Sequence, residues 1–60
     1  MIKYRICDHN EEYIAVEVFN ECDIEEVKEK LHKEGYLIIG TRFMFGSIFI
    51  EGLKREILEA

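Results

Sequence analysis

GYLIIGTRFMFGSIFIE, residues Gly35 to Glu51, holds three of the four phenylalanines of a 60-residue chain and its densest apolar sequence. Two apolar runs meet at Gly46-Ser47. Such a pair closes β-hairpins because glycine supplies the positive φ that a type II′ turn needs at its first central position. A turn centred there sets Phe45 against Ile48, Met44 against Phe49, Phe43 against Ile50 and Arg42 against Glu51, the last an opposite-charge pair that favours the register. Side chains alternate faces along a strand. Leu37, Ile39, Phe43, Phe45, Ile48 and Ile50 are therefore expected on one face, and Tyr36, Ile38, Arg42, Met44, Phe49, Glu51 and Leu53 on the other.

Upstream of this hairpin the spacing becomes helical. Ile24, Val27 and Leu31 recur at intervals of three and four, Asp23 and Glu26 resemble a capping box, and Cys22 and Val27 stand where a hydrophobic staple would close. Gly35 can take the left-handed conformation that ends a helix, and Lys30 and Lys33 lie where the helix dipole favours cations. These signals predict a helix over 23–34, with Glu26/Lys30 and Glu29/Lys33 as supporting pairs on its solvated side. Nearer the N-terminus, IKYRIC (2–7) and YIAVEV (13–18) alternate apolar and polar around a turn at DHNEE. Pairing Ile2 with Val18, Tyr4 with Val16 and Ile6 with Ile14 gathers the apolar residues on one face and sets Lys3 opposite Glu17. At the other end Leu53, Ile57 and Leu58 have helical spacing, but two turns need tertiary contact to persist. Residues 52–60 are expected as a short docked helix or a frayed tail.

The order ββαββ predicts a single α+β domain over residues 1–60, a two-layer sandwich in which one helix covers one face of an antiparallel sheet. A chain this short buries a small fraction of its surface and gains from an added disulfide, metal or partner. Hydrophobic residues make up 48% of it, normal for a folded domain. No apolar run approaches the roughly 18 to 20 residues that span a bilayer, and Met1 leads directly into strand-like sequence, so a cytoplasmic protein without membrane contact is expected.

The net charge is −5, and no Lys or Arg falls between Arg5 and Lys28. Glu11, Glu12, Glu21, Asp23, Glu25 and Glu26 all lie in that interval and form a candidate patch for a basic protein partner. The same charge disfavours general nucleic-acid binding.

Cys7, His9, Cys22 and His32 are of zinc-binding type but lack the close ligand pairs of structural zinc sites, and Cys22 and His32 are separated by about 15 Å of helix. A Cys7–Cys22 disulfide is disfavoured by the same kind of measurement. The cysteines read as small apolar side chains in a reducing compartment. His9 with Asp8 or Glu11, beside Cys7, lacks an apolar pocket that would make it a catalytic group. The four glycines are spaced as turn and strand residues, without a phosphate-binding loop. The chain thus offers no catalytic, cofactor-binding or metal-ligating assignment.

One helix can cover only one face of the sheet. Tyr36, Ile38, Met44, Phe49 and Leu53 are expected on the uncovered face, where an apolar patch marks a contact surface. The leading expectation is a small acidic protein-interaction module that forms a homodimer through that face and binds a basic partner. Acidic chains of this size are often inhibitors or adaptors carried by phages and mobile elements, an expectation resting on size and charge alone. The alternative is a single-stranded nucleic-acid-binding module that uses Lys3, Arg5 and Arg42 with Tyr13, Tyr36 and Phe49 on the same face.

Overall fold

A computed structural model describes residues 4–58, and of residues 57 and 58 the backbone alone. Four antiparallel strands and one principal helix form the α+β fold that the sequence predicts. They are β1 (Tyr4–His9), β2 (Tyr13–Val18), α1 (Ile24–Lys33), β3 (Tyr36–Met44) and β4 (Ser47–Lys54), with a 3-10 turn at Glu21–Asp23 before α1 and a short α2 (Arg55–Leu58) at the end. The sheet order is β1-β2-β4-β3. The last strand therefore fills the gap between two strands joined by the helix.

The core lies between α1 and the sheet. Val27 and Leu31 of α1 are buried with Ile14, Val16 and Val18 of β2, Tyr36 of β3, and Ile48 and Ile50 of β4; Tyr4, Ile24 and Ile38 pack against them. The period-two pattern of β2 and β4 makes this possible, because each strand gives the helix every second residue.

Both hairpins differ from the expected register. In the first, Tyr4 opposes Val18 and Ile6 opposes Val16. That is a shift of two residues, so the faces survive and Arg5 replaces Lys3 opposite Glu17; Ile2 and Lys3 lie outside the described residues. A bulge at Cys7 interrupts the pairing before Asp8 meets Ala15. The turn is held by Asn10, whose side-chain oxygen accepts from the N–H groups of Glu12 and Tyr13 at 2.8 and 2.9 Å.

In the second hairpin the turn falls at Phe45-Gly46, not Gly46-Ser47. Both residues have positive φ, 51° and 75°, the mark of a type I′ turn. Phe43 now opposes Ile48 and Thr41 opposes Ile50. Moving a two-residue turn by one position shifts the pairing by two, so these residues keep their expected faces. The faces change at a bulge between Ile38 and Gly40. Beyond it Tyr36 and Ile38 point toward the helix and Leu37 away from it, which corrects the expectation that Tyr36 and Ile38 lie on the open side.

The helix begins at Ile24, directly after Asp23, the N-cap position that its capping box assigns. Asp23 makes no side-chain capping bond; the Asn20 side chain caps the preceding 3-10 turn through the N–H of Cys22. At the far end Gly35, with φ 97°, donates to the carbonyl of His32 at 3.1 Å, the closure that its position predicts. Lys30 pairs with Glu34 at 3.3 Å instead of with Glu26. Arg55 also ties this end down, since its backbone N–H donates to the Gly35 carbonyl at 2.7 Å and its guanidinium to the His32 carbonyl at 2.8 Å. Of residues 52–60, expected as a short docked helix or a frayed tail, Gly52 to Lys54 instead continue β4 and only Arg55–Leu58 are helical; the side chains of Ile57 and Leu58 lie outside the described residues. Among the described residues no helix is long and apolar enough to cross a membrane.

Candidate interaction surface

The sheet face away from α1 is not the apolar platform that the sequence suggests. Arg5 donates to Glu17 at 2.7 Å, Tyr13 donates its phenolic proton to Glu51 at 2.7 Å, and Arg42 forms an ion pair with Glu51 at 3.0 Å. The Glu17 and Glu51 side chains are only 12% and 19% exposed, so both carboxylates are held down within the face. Arg42 reaches Glu51 diagonally, because its direct partner is Phe49. The Ser47 hydroxyl, and then Arg5, hold the Glu17 carboxyl below the usual range. The Tyr13 phenol is pushed up, chiefly by its bond to the Glu51 carboxylate. This is a layer of polar bonds with Leu53 and Phe49 half-buried among them.

A stability prediction follows from Glu17. Its folded form binds a proton less readily than the unfolded chain, so its contribution is fully present above the ordinary value of 4.5 and is lost as the pH falls through the lowered folded value. Urea unfolding of Glu17→Gln should accordingly show a shallower loss of stability below pH 4.5 than the parent shows. An unchanged acid limb would mean that Glu17 is not held as described.

The expected interface residues divide between environments. Tyr36 is buried in the core, with Lys54 seated 4.3 Å from its ring centroid; Ile38 packs beside it. Met44 is exposed, and Phe49 and Leu53 are half-buried. The acidic patch divides too. Tyr13 pairs with Leu53 and Val18 with Ile48, at opposite ends of the β2–β4 ladder. Glu11 and Glu12 therefore stand at one end of the sheet, and Glu21, Asp23, Glu25 and Glu26 about 17 Å away at the other.

Exposed apolar surface is concentrated elsewhere, along β3 and around the β3–β4 turn. Phe45 is 99% exposed, Phe43 65%, Phe19 59%, Ile39 49% and Met44 42%. Phe19, Phe43, Phe45 and Ile48, with Glu21 and Cys22, surround an open concavity of about 510 Å³. The three phenylalanines together leave on the order of 400 Å² of ring surface in water, within the range of the largest patch on a typical monomer. Sequence reasoning missed Phe43 and Phe45 as surface residues because it gave them to the core. The available signal was Phe45-Gly46 itself, a second way of placing glycine in a two-residue turn.

Cys7 and Cys22 are both free and exposed. Among the described residues no cluster of three His, Cys, Asp or Glu side chains could hold a metal ion. Comparison of the chain with family models, curated proteins and solved structures finds no match.

Proposed function

We propose that this chain is a small acidic protein-interaction module of the inhibitor or adaptor type, acting in the cytoplasm through the apolar margin formed by β3 and its turn. The observation that carries the reading is Phe45. A bulky residue at positive φ is disfavoured by roughly 1 kcal/mol or more, and a type I′ turn accommodates Asn, Asp or Gly there far better. Phe45 gains no burial in return, being 99% exposed. An aromatic side chain that folding does not use is well suited to contact with another protein, where aromatic anchors dominate binding energy.

The acidic group at Glu21, Asp23, Glu25 and Glu26 borders the same end and supports contact with a basic partner beside the apolar margin, as charge complementarity would speed and orient the encounter. Exposed free thiols fit a reducing compartment. Protein is preferred to single-stranded nucleic acid as the ligand because Arg5 and Arg42 on the open face are already bonded to Glu17 and Glu51, leaving them less available to phosphates.

Phe45→Asn tests this reading without a known partner. If Phe45 serves contact and not folding, the variant should be more stable by about 0.5–1 kcal/mol, with a melting midpoint several degrees higher. Destabilisation would assign Phe45 to the fold and remove the main support for the proposal.

A further inference from the structure

We infer that the apolar margin is completed by a second copy of this chain, through two-fold antiparallel pairing of β3 with its counterpart to give a continuous eight-stranded sheet. The inference rests on the interaction reading above and adds the occupant and its geometry. Among the described residues β1 and β3 are the sheet edges. An edge strand presents a row of backbone donors and acceptors ready to pair with another strand. The two edges differ. β1 spans six residues, is broken by the bulge at Cys7, and carries Arg5, Asp8 and His9 beside an exposed Ile6; charges and a bulge blunt an edge. β3 spans nine, and its stretch beyond the Ile39 bulge, Gly40 to Met44, carries the one charge of Arg42 and runs straight to the turn with Phe43 and Met44 exposed.

Charge indicates why the occupant is a second copy. Two molecules that each carry −5 repel over most of their surfaces. The stretch from Gly35 to Ile50 contains no Asp or Glu at all, although the chain has 13. The β3 strand from Gly40 to Met44 thus brings no carboxylate of its own to such a contact, Glu21 standing across the concavity at its turn end, and it coincides with the exposed apolar side chains. Pairing there is isologous and closed, since a two-fold axis uses each β3 edge once and leaves none free to propagate. It also adds the buried surface that so short a chain lacks.

Three measurements on the full chain decide the matter. Light scattering at high micromolar concentration should give twice 7.2 kDa. Hydrogen exchange should show that the amides of Gly40–Met44 that do not bond to β4 are protected when the protein is concentrated and exchange freely when it is dilute. Thirdly, proline is placed singly at Thr41 and at Arg42. Neighbouring residues of a strand direct their N–H groups to opposite sides. One variant loses a bond to β4 and is expected to unfold, while the other loses only the outward donor and should stay folded as a monomer.

A doubled mass with freely exchanging edge amides would overturn strand pairing and leave the interaction reading standing. A persistent 7.2 kDa species would overturn self-association altogether, with Phe45→Asn still deciding whether the margin serves another partner.

Discussion

Ile50→Ala is expected to unfold most of the population at 25 °C. Ile50 is completely buried, paired with Val16 on one side and Thr41 on the other, in the cluster that includes Val27 and Leu31 of the helix. Truncating a buried isoleucine to alanine costs about 2–5 kcal/mol, the transfer free energy of the lost carbons plus the cavity they leave. A core of this size supplies about 3–5 kcal/mol in all. The loss therefore matches the whole stability of the molecule. Far-UV circular dichroism should show the helix signal collapse, whereas Ile50→Val should cost about 1 kcal/mol and stay folded. A folded Ile50→Ala with a small shift in urea midpoint would mean that the centre of the core lies elsewhere.

The second large effect is expected at Gly52, on the helix side of β4 between Ile14 and Ile38. A Cβ placed on Gly52 would come within 3.2 Å of the Tyr36 Cβ and 3.3 Å of the Leu37 carbonyl oxygen, with an Ile14 methyl at 3.5 Å. One of those neighbours is backbone and cannot rotate away. Gly52→Ala should therefore cost about 1–2 kcal/mol, and Gly52→Val, with two further methyl groups, about 3 kcal/mol or more. Equilibrium unfolding in urea measures both, and the order Gly, Ala, Val in falling stability is the discriminating result. The glycine makes room for Tyr36, whose Cβ occupies space that any side chain on residue 52 would contest.

That contact shows what could and could not be read beforehand. The helix was legible because Ile24, Val27 and Leu31 keep its period and Gly35 ends it. The inward residues of β2 and β4 were legible because strict alternation admits one assignment. The bulge at Ile39 was not read, although Gly40 beside it is the kind of strand residue that marks one, and a single insertion exchanges the faces of everything before it. Tyr36 and Ile38 moved to the helix side for that reason. The turn was misplaced because local chemistry favours Gly46-Ser47. The β3–β4 ladder instead pairs Met44 with Ser47, which places the turn at Phe45-Gly46 and sets a phenylalanine at positive φ. The candidate surface was legible in its chemistry, an apolar patch on the second hairpin with acid nearby, but not in its location.

The position of β4 also governs when the protein can come into being. A chain emerging from the ribosome delivers β1, β2, α1 and β3 first, yet β2 and β3 do not touch, because the strand that bonds to both has not been made. Until residues 47–54 are free, Val27 and Leu31 have only β2 and the Tyr36 end of β3 to rest on, two strands not yet bonded to one another. Folding must therefore wait for the final strand to enter the middle of the sheet, a non-local step of the kind that slows folding. During that interval β3, with its exposed phenylalanine and methionine, is unpaired on both edges.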